Sequence, residues 1–484
     1  MKFNYFLTSI ICFLVTSNFA QTDLPTDYLS SDFHKDRRSA LRDSMPNNSV
    51  AIFFANPVRN RANDVDYVYH QDPNFYYLTG YNEPNTLLLI FSDDQTDGDV
   101  SYNEMIYVRK RHPQYEMWTG RRLGVEGVSH LGFDQVFNGE DFESSTVDFL
   151  TFDKVLFKDF ENDVRDSRRD KADLYNLIEQ FKVKVNYEAT ASTVPIDDNM
   201  VEIATNIDVK SLRTLMASLR EIKTKEELVL LKKAAEISAV GQIEIMKAMH
   251  PNMSEAEIQG VHEFIYKKYG SEYEGYPSIV GVGNNGCVLH YTENTKMSAG
   301  KEMVLMDLGA EYHGYTADVT RTIPANGKFN KEQRAIYDLV YAAQEEGIAK
   351  TVVGATMGEI DKAGREIINQ GLIDLGIIET VEQGRKYFPH GTSHHIGLDV
   401  HDLSNRGELK ENMVITVEPG IYIPEGSDCD EKWWGIAVRI EDDILVTANT
   451  PINLSGMAPR HADEIEAMMK EASILNAFEL PKLD

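Results

Sequence analysis

Cysteine is almost missing from this chain: among 484 residues only Cys12, Cys287 and Cys429 carry a thiol. One pair beyond the N-terminus is no disulfide framework, and each reads as a lone small residue rather than a ligand or nucleophile. Basic residues are also short, with Lys+Arg 48 against Asp+Glu 77 and a formal net charge of −29. That balance argues against nucleic acid or an anionic membrane as a main partner. Long apolar runs are absent after the first twenty residues, and no glycine-rich phosphate loop occurs. The one N-terminal run, Phe6–Val15, is too short to span a bilayer. With Lys2 before it and small Ala20 after it, it reads as a cleavable secretory signal over residues 1–20. Asn18 is not the preferred small residue at its position, and Cys12 lacks the small residues that a lipoprotein site needs before it. The expectation is a secreted or periplasmic protein with no stable membrane span after cleavage; an uncleaved anchor is the alternative.

What is present is a two-part grammar. The length allows two to four domains with sizeable cores. After a polar lead-in, Lys35–Met45 patterns as an amphipathic helix, and Ser49–Ala55, Thr86–Phe91, Met105–Val108, Val155–Phe157 and Val183–Tyr187 are short β-prone runs. Lys171–Phe181 is helix-like, which makes an α/β region over 21–205; the aromatic cluster 74–80 within it reads as core. Residues 206–223 read as a link, 224–470 as a second domain and 471–484 as a tail. In the second domain Thr224 with Glu227, Ser254 with Glu257, Asn330 with Gln333 and Thr356 with Glu359 have capping-box spacing, so each pair opens a helix. The order is two helices then strands, twice over, which predicts two related halves around a shared sheet. No residue identity in the sequence links the halves.

The stretch Met303–Ile323 sits at the centre of this pattern and reads as an antiparallel hairpin. A turn centred between Tyr312 and His313 would set Asp307 directly opposite Asp318, with Cβ atoms roughly 4.5–5.5 Å apart. Two such carboxylates repel, and a divalent cation is the usual compensation; a solvated face with two unrelated acids is the plainer alternative. Three further stretches bear on the pair. Residues 390–402 hold His390, His394, His395 and His401, as metal or catalytic groups or as a structural histidine network. Glu418 ends an apolar strand at Pro419-Gly420, either as a ligand at a strand mouth or as a solvated strand-end acid. Arg439 and Glu441 share one face by alternation, so Arg439 can orient that carboxylate or merely form a surface ion pair. Four carboxylates and one imidazole would balance two divalent cations, and an oxygen-rich set suits hard or borderline ions such as Mn²⁺.

These motifs resemble aminopeptidase P, the Xaa-Pro aminopeptidases among the pita-bread-fold metallopeptidases. The likeness rests on the stretches 285–294, 307–322, 390–394, 398–402, 416–420 and 439–443, and in the first domain on 72–80 and 118–124. It implies an α+β chain: an N-terminal α/β creatinase-like domain, then a pita-bread catalytic domain with a duplicated helix-helix-strand pattern around a curved antiparallel sheet. It implies metal ligands at Asp307, Asp318, His394, Glu418 and Glu441 holding two divalent ions, most often Mn²⁺. By the same likeness Glu418 also accepts a proton from the metal-bridging water, His290 and His401 hold substrate and stabilise the tetrahedral intermediate, and His390 is a further substrate-binding histidine. Trp118 matches a residue that reaches a neighbouring subunit, which hints at a homo-oligomer. The implied activity is a metal-dependent exopeptidase cleaving N-terminal Xaa-Pro bonds of peptides. The alternatives are a prolidase-like Xaa-Pro dipeptidase and an inactive peptide-binding relative.

Overall fold

The computed structural model describes residues 25–160, 171–187 and 206–477. The expected leader, residues 1–20, lies outside the described residues. The first half is built on a six-stranded mixed sheet whose order is Gln135–Asn138, Val100–Val108, Leu87–Asp97, Ser49–Phe54, Lys154–Leu156 and Ile207–Asp208. Alternation on Ser49–Phe54 sends Val50 and Ile52 to one face and Ala51 and Phe53 to the other, and both faces are covered. That double burial explains why the strand reads as a continuous apolar run.

Helix Ser31–Ser44 covers one face, starting four residues before the expected Lys35 because Ser30 caps it by accepting from Phe33 N. Helix Leu174–Lys184 covers the other through Leu177 and Phe181. Two expectations are corrected here. Val183–Tyr187 is no strand: the i, i+3, i+7 apolar stripe carries the helix through Val183, which is itself exposed. Residues 206–223 are no bare link. Ile207–Asp208 adds a parallel strand to the sheet, and helix Ser211–Arg220 buries Leu212 and Met216 in the core shared by both halves.

Three of the four capping boxes form as read, at Thr224, Asn330 and Thr356, opening Lys225–Ala248, Lys331–Lys350 and Met357–Asp374. At Glu255–Lys268 Ser254 accepts from Glu257 N, with no reciprocal bond from the Glu257 side chain. The strands pair antiparallel: Ile279–Val282 with Met303–Asp307 and then Thr320–Pro324, Val414–Val417 with Asp442–Leu445, and Gly420–Ile423 with Ile436–Arg439. The alternation that would put Arg439 and Glu441 on one face of one strand does not hold: Ile436–Arg439 and Asp442–Leu445 are two strands in two sheets, broken at 440–441. Thr322 Oγ1 lies 2.9 Å from the Arg439 carbonyl, and Glu441 N donates to the Thr320 carbonyl at 3.1 Å, which joins the two halves at that break.

The halves also share a residue identity. Buried Gln242, on Lys225–Ala248, donates to the carbonyls of Met306 (3.1 Å) and Val319 (2.9 Å). Buried Gln344, on Lys331–Lys350, donates to the Val417 carbonyl (3.2 Å) and to Asp442 Oδ2 (2.8 Å). Met306 and Val417 immediately precede Asp307 and Glu418, while Val319 and Asp442 immediately follow Asp318 and Glu441. Each half thus uses one glutamine to clamp the backbone or side chain beside its own pair of acids.

Candidate active site

The hairpin turns one position later than expected. His313 and Gly314 both have positive φ, +50° and +87°, as a two-residue type I′ turn requires. Tyr312 pairs with Tyr315, so Asp307 lies opposite Thr320 rather than Asp318. Asp318, two residues before Thr320, keeps the same face of the pleat as a diagonal neighbour of Asp307. Gly309 sits between them because a Cβ there would lie 2.0 Å from the Ala317 carbonyl oxygen.

A cleft of about 270 Å³ gathers every predicted site residue: His290, Asp307, Asp318, His390, His394, His401, Glu418, Arg439 and Glu441. Asp307 ends its strand, Glu418 follows Val414–Val417, and Glu441 sits at the break after Ile436–Arg439. His394 lies beside the Glu418 strand through a bond from Thr416 N to its carbonyl at 2.9 Å. Its Nδ1 is 3.0 Å from the His395 carbonyl, leaving Nε2 facing Asp318 Oδ2 at 3.4 Å and Glu418 Oε1 at 3.5 Å. One donor atom each from Asp318, His394 and Glu441 fall within 4.8 Å of one another.

The electrostatics show an excess of negative charge on largely buried side chains. Burial, against the pull of Arg439, pushes Asp307 up to about 6, with Asp318 adding to the rise. Burial likewise pushes Glu418 up to about 7, and burial with three neighbouring carboxylates lifts Glu441 well above the ordinary range. His394 rises to about 9 although burial opposes it, because Asp318 and Glu418 face the ring. His390 falls to about 4 through burial and then Arg439. Four carboxylates with one guanidinium and one imidazole cannot all ionise unaided, and an oxygen-rich donor set with one nitrogen fits hard or borderline divalent cations.

Arg439 behaves differently from its sequence reading. It hydrogen-bonds Asp307 Oδ2, the Thr320 hydroxyl (3.1 Å) and the Tyr422 hydroxyl (3.0 Å), while Glu441 is 3.8 Å away. Glu441 Oε2 instead accepts from the Thr320 hydroxyl at 2.5 Å. The break at 440–441 ends the alternation that would have stacked Arg439 on Glu441. Three further residues were not legible as site residues. Tyr276 OH lies 2.5 Å from Asp307 Oδ1 and 2.7 Å from Asp318 Oδ1. Tyr422 OH lies 2.8 Å from His390 Nε2, and Thr320 supports Glu441. No local pattern marks them, since each reaches the cluster from a separate strand or loop. Both ring nitrogens of His390 are engaged within the protein, Nδ1 with the Gly391 carbonyl at 2.7 Å. His401 stands edge-on to His394, ring centroids 4.4 Å apart, and His290 is exposed at the cleft.

The profile of metallopeptidase family M24 matches residues 229–448, and that of the aminopeptidase P N-terminal domain matches 34–156. A Xaa-Pro aminopeptidase of Haemophilus influenzae is 35% identical over 91% of this chain and 98% of its own length. The chain belongs to the aminopeptidase P family. Within that family, Xaa-Pro aminopeptidase 3 of Homo sapiens is 31% identical over 88% of this chain and 81% of its own. The structure of aminopeptidase P from E. coli with the inhibitor Pro-Leu superposes with a TM-score of 0.80 and 32% identity, covering 91% of this chain and 98% of that one. The α+β fold, with an N-terminal domain ahead of a pita-bread domain, is therefore the one the resemblance implies.

Proposed function

We propose that this chain is a metal-dependent aminopeptidase that hydrolyses the bond between the N-terminal residue of a peptide and a following proline. The observation that carries the reading is the convergence of Asp307, Asp318, His394, Glu418 and Glu441 at one cleft that also presents His290, His390 and His401. Asp307, Asp318, His394, Glu418 and Glu441 would hold two divalent ions, Mn²⁺ by family likeness, which when bound polarise a carbonyl and make water acidic enough to attack it. Glu418 takes the proton released in that attack. His290 and His401, at the open side of the cleft, donate to the carbonyl oxygen as negative charge grows on it. His390 is kept neutral by burial and by the nearby Arg439, is held in place by Tyr422 and the Gly391 carbonyl, and positions substrate without supplying a charge. An Xaa-Pro bond is a tertiary amide with no N–H, so a cleft whose donors aim at the carbonyl side suits it.

The exported location rests on the N-terminal signal pattern alone. Assembly into an oligomer is supported by the exposure of Trp118 (86%) and Met117 (83%) on the short helix Pro113–Thr119. A peptide panel tests the activity: Xaa-Pro-Xaa tripeptides should be cleaved after the first residue, and turnover confined to Xaa-Pro dipeptides would identify a prolidase instead. Activity should vanish on chelation and return with Mn²⁺. Full turnover by metal-stripped protein would sink the metallopeptidase account.

A further inference from the structure

The cleft histidine His290 sits on the least regular part of the catalytic half. Residues 288–299 form no helix or strand, and Val288, His290 and Met297 are exposed. Yet the segment is tied down at both ends by one carboxylate. Glu255 is the first residue of helix Glu255–Lys268 and is fully buried. Its Oε1 accepts from Val282 N (2.8 Å) and Asn285 Nδ2 (2.9 Å). Its Oε2 accepts from Tyr291 OH (2.9 Å) and Lys296 N (2.7 Å). The donors Val282 and Asn285 come from before this segment and Tyr291 and Lys296 from within it, and Tyr291 is the residue next to His290.

No lysine or arginine forms an ion pair with Glu255 among the described residues. A buried carboxylate is otherwise costly, and here four hydrogen bonds and the positive end of its own helix stand in for a counter-charge. Stabilising the helix start would not require such a site, because Ser254 already caps it. The reach of the four donors is what needs explaining. We infer that Glu255 is a positioning residue for catalysis: it ties the short 3-10 turn Gly283–Cys287 to the irregular segment that follows, so that His290 is presented to the cleft. Asn294, at φ +46°, closes the same segment by accepting from Val280 N and donating to the Ser278 carbonyl. The inference rests on the reading of His290 as a substrate-side donor.

Glu255→Gln keeps the size and turns one oxygen into a donor that faces a backbone N–H whichever way the amide lies, Val282 N beside Asn285 Nδ2 or Lys296 N beside Tyr291 OH. Its kcat/KM on a Xaa-Pro tripeptide should fall by about 10–100-fold, as for other residues that orient a functional group, with bound metal unchanged. Tyr291→Phe, which removes one hydroxyl, should give a smaller loss and carries the test if Glu255→Gln does not fold. In a His290→Ala background Glu255→Gln should add less than about threefold, since both changes act through one group. Wild-type kcat/KM in Glu255→Gln, or an undiminished loss in the His290→Ala background, overturns the inference. Hydrogen exchange at the Val282 and Lys296 amides separates the two readings. Faster exchange in Glu255→Gln shows the anchor even if no peptide is cleaved, and unchanged exchange refutes it even if His290 proves essential.

Discussion

At the scale of single residues, the site depends on groups that hold the acids as much as on the acids. Arg439 spans Asp307, Thr320 and Tyr422 at once, a geometry that uses the flat fork of a guanidinium. A lysine offers one compact charge and cannot meet all three. Arg439→Lys should therefore lower activity or metal retention by about 10–100-fold, read by kinetics and by metal analysis of the purified protein. The residue types of the site were legible because acids, histidines and glycines clustered in short motifs. Tyr276, Tyr422 and Thr320 were not, because hydroxyl residues are common in strands and their partners lie far off in the chain, 31 residues away for Tyr276 and Asp307.

At the scale of elements, local chemistry was readable wherever a signal acts within one helical turn. Thr224, Asn330 and Thr356 each begin the helix their capping box announces. The hairpin was read one position out because His313 takes the left-handed conformation that glycine or asparagine more often fills. That shift converts a directly opposed pair of acids into a diagonal one. The close approach at Gly309 locks the register, since its missing Cβ leaves room for the Ala317 carbonyl. Gly309→Ala should destabilise the protein by about 1–3 kcal/mol through this backbone clash. Denaturant titration would show it as a lower midpoint, and activity should fall with it because Asp318 sits just beyond.

At the scale of the whole molecule, the halves are joined by a buried ion cluster as well as by apolar packing. Asp402 accepts from Arg220 and, at 2.7 Å, from Lys223, and Arg220 also reaches Asn74 of the first half at 2.7 Å. Burial alone would raise the Asp402 pKa, but Arg220 and Lys223 outweigh it and hold the carboxyl below its ordinary value. A depressed folded-state pKa adds stability that is full above the unfolded value of about 3.9 and is lost as pH falls through the folded value. Asp402→Asn should cost about 3–5 kcal/mol at pH 7, because two buried cations lose their partner. The gap to wild type should narrow as pH falls below about 4, where the unfolded chain protonates Asp402 first, and close as pH falls through the lower folded value. Unfolding midpoints of both proteins across that range would check the sign, and a gap that widens in acid would contradict it.

By itself the sequence determined the order of helices and strands in the catalytic half, most helix starts, the residue types of the site and the family. Those follow from caps, periodicity and short motifs, whose physics is complete within a few residues. Only the tertiary structure decided that Asp307 and Asp318 are diagonal, that Arg439 hydrogen-bonds Asp307 and meets Glu441 only as a 3.8 Å ion pair, and that Gln242 and Gln344 clamp equivalent strands. It also decided that 206–223 belongs to the first sheet and the shared core. Each of these depends on strand register or on packing between distant segments, where a shift of one position changes which groups meet.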